Sequence, residues 1–332
     1  MKRISFFLTF ILILGMIFVG GGVIWWRGVT GAASTETKTT SFLIVKGASA
    51  ERIGQDLLKA GLIKNRLAFK IYLQTHNLTT AIPPGEFLIP RNLKLGELVD
   101  LLLKGPTEMW VTIPEGLRRE EIVERFIDGL KMEDANAQVF RSEFLEESED
   151  WEGFLYPDTY LFPRDVGAGQ VVTRLKATFE SKFGKNTGSS GLTLLEVVTL
   201  ASIIERETLG SEERAIVAGV YMNRLNAGWA LDADATVQYA VANVKCSIIP
   251  VDCDWWPRPL TKDDLLYNSS YNTYRNPGLP PGPIANPGLL SLTAVANPQK
   301  TDYWFYIHDG EGKIHFAKTL EEHNRNIQKY LR

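Results

Sequence analysis

The sequence is poor in the residues that usually bind metals, with two cysteines and four histidines among 332 residues. It contains no HExxH, CxxC or P-loop string, which argues against a zinc, iron–sulfur or nucleotide-phosphate site. Neither sign of charge is in excess, because 36 Lys and Arg stand against 39 Asp and Glu for a net charge of −3. This balance gives no reason to expect a nucleic-acid partner. We predict no metal and no cofactor.

Charge is absent from one long stretch near the N-terminus, residues 4–26. As a helix, these residues would span about 34 Å, which is enough for the hydrocarbon core of a bilayer. Lys2 and Arg3 precede the stretch and Arg27 follows it, so the positive-inside rule places the N-terminus in the cytoplasm. We predict a single-pass anchor in the cytoplasmic membrane, with the rest of the chain outside the cytoplasm. A cleaved signal peptide is the alternative, and it leads to the same compartment.

The length predicts two folded units, and the balanced composition is typical of globular proteins. Residues 1–27 form the cytoplasmic stub and anchor, and the small polar residues 28–40 form a flexible linker. The first unit, 41–107, is predicted to contain a strand at 42–46, helices after Ser49 and Asn65, a turn and then a strand within 83–89, and a helix at 95–103. The second unit, 108–332, also mixes helices and strands. The predicted fold class is therefore α+β.

Two stretches near the start of the second unit carry carboxylates. An amphipathic helix over 117–130 presents what we interpret as a solvated face of three glutamates, Glu120, Glu121 and Glu124. The aromatic-rich loop 151–163 carries Glu152 and Asp158. Such a loop suits sugar binding, because sugar faces stack on aromatic rings while hydroxyls need paired acceptors. A packed turn between subdomains is the alternative.

A buried helix is predicted to begin at Thr193, which forms a capping box with Glu196 and is followed by turns that are apolar nearly all round. Glu205 lies at its end, where desolvation is expected to raise the pKa of a carboxyl group, as suits a general acid. Glu207 lies about 200° further around the helix axis, so the two carboxylates cannot share one face. The alternative role for Glu205 is an ion pair with one of two arginines, Arg206 or Arg214.

Polar and aromatic residues follow in ordered groups. A further helix is predicted from Ser211 to Gly228, and the Gly/Pro run 277–288 is interpreted as a rigid loop at the edge of a groove. Cys246 and Cys253 form either a disulfide or two free thiols. The tyrosine-containing motif at 271–274 fits a core strand as well as a sugar-binding surface. The candidate binding residues are Asn223, Arg224, Asp234, Thr236, Gln238, Tyr239, Tyr271, Asn272, Thr273 and Tyr274.

Six ordered motifs make the chain similar to a known family: ASIIERET, YMNRL, ADATVQYA, YNTY, GLPPGPIANPG and FAKTLEEHNRNIQKYL. Together they resemble the endolytic murein transglycosylase, or YceG-like, family. The resemblance covers nearly the whole chain. It implies a membrane anchor, a LysM-like module at 41–107 and a catalytic transglycosylase domain at 108–332. One departure is Ala235, which stands where the family usually has proline and puts the stiffness of that turn in doubt.

The resemblance also implies roles for individual residues. Glu205 is the position of the catalytic acid, and Glu207 supports it or positions the substrate, in a groove lined by the candidate binding residues. A lytic transglycosylase needs one acid, since the C6 hydroxyl of MurNAc takes the place of water and closes a 1,6-anhydro ring. A second carboxylate opposite the acid would permit hydrolysis instead, and Glu152, Asp158 and Asp234 are the candidates.

The expected substrate is peptidoglycan, cut at the MurNAc–GlcNAc bond of nascent glycan strands so that strand elongation is terminated or trimmed. The expected partners are glycan strands, the membrane and the cell-wall synthesis machinery. The alternative function is that of a non-catalytic wall protein that binds peptidoglycan, in which Glu205 serves only as an ion-pair partner. A pure binding module has no need of a costly buried acid, which favours the enzyme.

Overall fold

The computed structural model describes residue 16 and residues 20–45, 47–246 and 253–331, which form two compact units. The first unit holds the described residues up to Trp110 together with Leu161–Asp165. The second holds Val111–Tyr160 and the described residues from Val166 onwards. Helices and strands occur in both units, which confirms the predicted α+β class.

The predicted anchor over residues 4–26 lies largely outside the described residues. Its described part belongs to a helix over residues 20–30, which extends into the segment predicted as a linker. Trp26 and Val29 of this helix pack against the core of the first unit. Within the described residues, no helix is both long and apolar enough to cross a membrane.

The first unit begins with β1 (Thr39–Ile44), α1 (Ala50–Lys59), α2 (Arg66–Thr75), β2 (Gly85–Pro90) and α3 (Leu95–Leu103). This order confirms the predicted succession of elements. Strands β1 and β2 are antiparallel, with Phe42 opposite Phe87, and alternate residues of each strand are buried. As predicted, Ser49 caps α1, and Asn65 caps α2 in the same way, each by accepting backbone N–H groups of the first turn.

The second unit contains most of the helices. Its elements, together with the two strands β3 and β4 that the unit boundary divides, are β3 (Glu108–Thr112), α4 (Arg119–Leu130), α5 (Asp134–Glu147), β4 (Thr159–Pro163), α6 (Ala168–Lys182), α7 (Leu194–Glu207), α8 (Arg214–Asn226), α9 (Asp234–Lys245), α10 (Lys262–Leu265), α11 (Leu289–Ala296), β5 (Phe305–His308), β6 (Ile314–Ala317) and α12 (Leu320–Tyr330). Strands β5 and β6 form an antiparallel hairpin with Tyr306 opposite Phe316.

Helix α7 is the centre of the second unit. All residues from Val197 to Ile204 are buried, and α7 packs against α8, α9 and α11. The predicted capping box is present, because the Thr193 N–H donates to Glu196 Oε2 at 2.8 Å and the Glu196 N–H donates to Thr193 Oγ1 at 3.4 Å. The capping box fixes the start of α7, and the core that surrounds the helix fixes where its last turn lies.

Two predictions about helices are corrected. Helix α8 begins at Arg214 rather than at Ser211, because the Glu213 carboxylate accepts the N–H groups of Leu209 and Gly210 and holds the preceding residues in a turn. The three glutamates of α4 are not a solvated face. Each is partly buried and has a partner: Glu120 pairs with Arg118 at 3.1 Å, Glu124 with Arg141 at 2.5 Å, and Glu121 accepts from Trp256 at 3.0 Å.

Cys246 and Cys253 form a disulfide, which decides between the two alternatives left open by the sequence. Residues 247–252 between them lie outside the described residues. The segment that follows the disulfide packs by cation–π contacts: the Arg118 guanidinium lies 4.6 Å from the ring of Trp255, and that of Arg206 lies 3.8 Å from the ring of Trp256.

Candidate active site

The carboxylate of Glu205 is bonded on both oxygens. Arg214 Nη2 donates to Oε1 at 3.0 Å, and the backbone N–H of Gly288 donates to Oε2 at 2.9 Å. The Glu205 side chain is only 6% exposed. The ion pair considered as an alternative is therefore present, with Arg214 as the partner.

A further carboxylate, which the sequence analysis did not single out, lies beside this pair. Glu115 Oε2 is 3.9 Å from Arg214 Nη1. Burial raises the pKa of Glu115, and the charge of Glu205 raises it further, while Arg214 opposes both effects. In the sequence, Glu115 is marked only by the glycine that follows it; in the structure this glycine, Gly116, has a φ of +77°.

Glu207 lies in a different environment, at a cavity of about 460 Å³. Its carboxyl group accepts the Ala235 N–H at 3.4 Å and the Tyr306 hydroxyl at 3.2 Å. Burial raises the pKa of Glu207, and the nearby charge of Asp234 adds to the rise. The sequence analysis predicted that Glu205 and Glu207 lie on different faces of the helix. Their different partners confirm this prediction.

The cavity is rich in tyrosines and charged side chains. The Tyr274 hydroxyl donates to Asp234 Oδ1 at 2.7 Å, and the hydroxyls of Tyr221 and Tyr306 are 2.9 Å apart. Burial raises the pKa of the Tyr274 hydroxyl, so it remains a proton donor to Asp234. The residues that line the cavity are Glu207, Tyr221, Arg224, Leu231, Asp232, Asp234, Tyr274, Phe305, Tyr306, Ile307, Leu320 and His323.

Four of the residues predicted to bind substrate come together at this cavity: Glu207, Arg224, Asp234 and Tyr274. The Arg224 side chain is fixed by two backbone carbonyls: its Nε donates to the Trp304 carbonyl at 2.9 Å and its Nη1 to the Leu231 carbonyl at 2.6 Å. These four residues come from α7, α8, α9 and the turn after α10, so only the tertiary fold brings them together.

Other predicted binding residues have their polar atoms bonded inside the protein. Asn272 is fully buried and its amide donates to two backbone carbonyls, at 2.8 and 2.9 Å. Thr236 and Thr273 are buried and bond to each other at 2.9 Å. The amide of Asn223 donates to the carbonyls of Thr301 and Tyr303. These side chains fix the backbone around the cavity. The sequence analysis had instead predicted that they contact the sugar.

Three further predicted residues, Gln238, Tyr239 and Tyr271, lie away from this cavity, and the two tyrosines form a group beside Arg118. The Gln238 amide donates to the Pro257 carbonyl at 3.2 Å. The rings of Tyr239 and Tyr271 are 4.8 Å apart, and the Arg118 guanidinium lies 4.2 Å from the ring of Tyr239. None of the three predicted residues is among those that line the Glu207 cavity. The motif at 271–274 forms a turn, so the core strand considered as an alternative is not present there.

The two carboxylates of the aromatic loop also lie elsewhere. Glu152 accepts from Asn286 Nδ2 at 2.6 Å and from the Arg119 N–H at 3.3 Å. Part of the residue reaches the surface, but the carboxyl group is surrounded by protein, and this burial, with the charge of Glu120, raises its pKa to about 8. Asp158 is 3.6 Å from Lys182 and is partly exposed. Neither carboxylate lines the cavity.

The Gly/Pro loop predicted at a groove edge is instead buried over residues 282–288. The Ile284 N–H donates to Ser202 Oγ at 3.0 Å, and the Gly288 N–H reaches Glu205. Asn286 connects this loop to Glu152 and also accepts the Leu155 N–H at 2.8 Å. The loop therefore packs along α7 and supplies Glu205 with one of its two partners.

The three histidines of the second unit have partners within the protein. His308 lies 3.1 Å from Glu213, His315 lies 2.7 Å from Asp309, and His323 stacks on Phe305. Across the described ranges, no group of three or more His, Cys, Asp or Glu side chains is arranged to hold a metal ion.

Comparisons with known proteins find relatives that share one name and a solved structure with a similar fold. An endolytic murein transglycosylase from Bacillus subtilis is 29% identical over 95% of this chain and 91% of its own length. A protein of the same name from Streptococcus pneumoniae is 26% identical over 98% of this chain, and the match spans 65% of that longer protein. A crystal structure of a yceG-like protein from Listeria monocytogenes matches with a TM-score of 0.54 and 28% identity, over 87% of this chain and 99% of that one.

The family model described as YceG-like matches residues 42–329, which is most of the sequence and covers most of the described part of each unit. The motifs that suggested the family lie within the same range, apart from the last two residues of the C-terminal motif. The chain therefore belongs to the YceG-like family.

Proposed function

We propose that this protein is an endolytic peptidoglycan transglycosylase that cleaves the MurNAc–GlcNAc bond and leaves 1,6-anhydroMurNAc ends. The curated relatives named above support the reaction class. The observation that carries the proposal is the carboxyl group of Glu207, whose pKa is raised by burial at a cavity large enough for sugar rings.

The acid we propose is Glu207 rather than Glu205. A general acid must carry a proton near neutral pH and reach the substrate. Glu207 lines the cavity and has a raised pKa. Glu205 is not among the residues that line this cavity, and its carboxylate forms an ion pair with Arg214 at 3.0 Å. We assign Glu205 the role of holding the end of α7 against the loop 282–288.

The mechanism requires one proton to move out and one to return. Protonated Glu207 donates to the glycosidic oxygen as the bond to C1 of MurNAc breaks. The C6 hydroxyl of the same sugar then attacks C1, and the Glu207 carboxylate accepts the hydroxyl proton. The Tyr306 hydroxyl donates to the carboxylate between these steps, and Tyr221 in turn bonds to Tyr306. The proton balance therefore closes on a single residue.

Asp232 and Asp234 both share the cavity with Glu207, and Asp234 is the one whose charge acts on the Glu207 carboxyl group. It raises the pKa of Glu207, which keeps the acid protonated. It also provides negative charge near an oxocarbenium-like centre. If Asp234 instead activated a water molecule, the product would be a reducing end, as in inverting hydrolases.

The proposed location is the outer face of the cytoplasmic membrane, with a single anchor over residues 4–26 and the N-terminus inside. The support is the uncharged run, flanked on its N-terminal side by Lys2 and Arg3. An anchored enzyme stays close to newly made strands, so termination or trimming of elongation is the expected task. Components of the cell-wall synthesis machinery are the expected protein partners.

The test is mass spectrometry of the fragments that the full-length protein in detergent releases from purified peptidoglycan. The expected fragments end in 1,6-anhydroMurNAc and are lighter by one water than reducing ends. Fragments with reducing ends would indicate a hydrolase instead. The variant Asp234→Asn would then test whether Asp234 activates the water molecule. Glycan binding without any fragments would favour the non-catalytic wall protein.

A further inference from the structure

A half-exposed tryptophan, Trp229, stands immediately after the end of α8. Gly228 has φ +69°, the left-handed conformation that ends helices, and its N–H donates to the Leu225 carbonyl at 3.1 Å. The Trp229 N–H donates to the Arg224 carbonyl at 2.8 Å. Both bonds fix the backbone, so the indole is carried by the end of a packed helix rather than by a mobile loop.

The indole is also supported from the side by other rings. Its centroid lies 4.7 Å from that of Trp304 and 6.2 Å from that of Phe305. Even so, Trp229 remains 46% exposed. A large aromatic side chain is usually more completely buried when its only role is packing, so a supported indole with this much free surface indicates a binding surface.

This aromatic group is continuous with the Glu207 cavity. Phe305, which contacts Trp229, is one of the residues that line the cavity. The Arg224 guanidinium lines it as well and lies 5.4 Å from the Phe305 ring. Asp232, with a side chain 47% exposed, is 3.7 Å from Arg224 and adds a polar acceptor at the cavity wall. The surface therefore offers an aromatic face with charged groups close by.

We propose that Trp229 is a stacking subsite for a sugar ring of the glycan strand, outside the cavity in which Glu207 acts. The proposal rests on the proposed function. A pyranose presents C–H groups on its face and hydroxyls on its edge, which match an indole face flanked by a carboxylate and a guanidinium. A strand long enough to reach Trp229 binds better than a short one, so the subsite favours cleavage within long strands.

The experiment uses the full-length protein in detergent and uncrosslinked glycan strands separated by length. For long strands, Trp229→Ala is expected to raise KM about two- to tenfold with kcat unchanged, as the loss of one aromatic contact implies. For the shortest strands that are cleaved, KM should stay the same. Trp229→Tyr keeps a ring and should restore most of the affinity, whereas Trp229→Leu keeps apolar packing and should not.

The control is Val139→Ala, because Val139 on α5 is 59% exposed and does not line the Glu207 cavity. It should leave KM unchanged. If Trp229→Leu and Trp229→Ala both cleave long strands with the wild-type KM, the subsite is refuted while the enzyme stands. An equal rise in KM for long and short strands would also refute it, since that result indicates damage to the cavity.

Binding separates this proposal from the proposed function. Long strands are titrated against Glu207→Gln and against the same variant with Trp229→Ala. If the wild type releases no fragments but the second variant binds more weakly than the first, the subsite holds and the proposed function fails. If the two variants bind equally, the subsite fails whatever the wild type does.

Discussion

Replacing Glu152 by glutamine tests the electrostatics of the second unit. The Glu152 carboxyl is enclosed by protein and accepts from Asn286 and the Arg119 N–H, and burial, aided by the charge of Glu120, raises its pKa to about 8 from the ordinary 4.5. The folded protein therefore holds this proton over a pH range in which the unfolded chain has lost it. The stability that results is complete below about pH 4.5 and is lost as the pH rises through about 8.

The size of the effect follows from these two values. At about 1.4 kcal/mol for each pH unit, a carboxyl group with pKa 4.5 unfolded and about 8 folded loses at most about 4 kcal/mol of stability between pH 5 and pH 9. Glutamine cannot ionise and has nearly the same shape. Glu152→Gln should therefore lose less stability than the wild type over this range, by up to that amount.

The assay is urea unfolding of the full-length protein in detergent at pH 5, 7 and 9, followed by tryptophan fluorescence. Glu143→Gln is the control, because Glu143 is close to Glu152 in the sequence but is exposed to solvent. It should follow the wild type at every pH. The reasoning is refuted if wild type and Glu152→Gln lose equal stability between pH 5 and pH 9.

Three further predictions concern stability. Arg214→Leu leaves the buried Glu205 carboxylate without its cation and should lower the free energy of unfolding by about 3–5 kcal/mol. Adding Glu205→Gln should restore part of this loss, and denaturant titrations in which the double variant shows no recovery would contradict the prediction. Gly219→Ala should lower the melting temperature although alanine favours helices, because the new Cβ meets a backbone carbonyl oxygen; an unchanged or higher value would refute it. Replacing Cys246 and Cys253 by serine should cost about 2–3 kcal/mol, and equal melting would contradict the loop-closure argument.

Local signals explain which elements the sequence could predict. Helix α7 has a capping box and an apolar run, and Ser49 and Asn65 cap α1 and α2, so these elements were predicted correctly. Helix α9 was not assigned, since Ala235–Ala242 is buried on every side and a helix of this kind lacks the amphipathic period by which helices are recognised. The start of α8 was misplaced because the Glu213 carboxylate accepts the N–H groups of Leu209 and Gly210 and holds the residues before α8 in a turn.

The candidate site could be predicted only in part. The helical period correctly placed Glu205 and Glu207 on different faces. Which of them faces a cavity depends on groups about 80 and 100 residues later in the chain, the Gly288 N–H and the Tyr306 hydroxyl. No local pattern reports such contacts. For the same reason, Asn272 could be identified from the sequence as a polar candidate, but the hydrogen bonds from its amide to two backbone carbonyls could not be predicted.

The central claim is that Glu207 is the acid and Glu205 a structural partner. The most direct measurement compares the rate of anhydro-end formation by wild type, Glu207→Gln and Glu205→Gln, as kcat against pH. The account predicts that Glu207→Gln loses turnover and keeps glycan binding. It also predicts that Glu205→Gln, where it stays folded, keeps turnover, and that the wild-type rate falls as the pH rises through the raised pKa of Glu207. Normal turnover by Glu207→Gln, with turnover lost in folded Glu205→Gln, would contradict it.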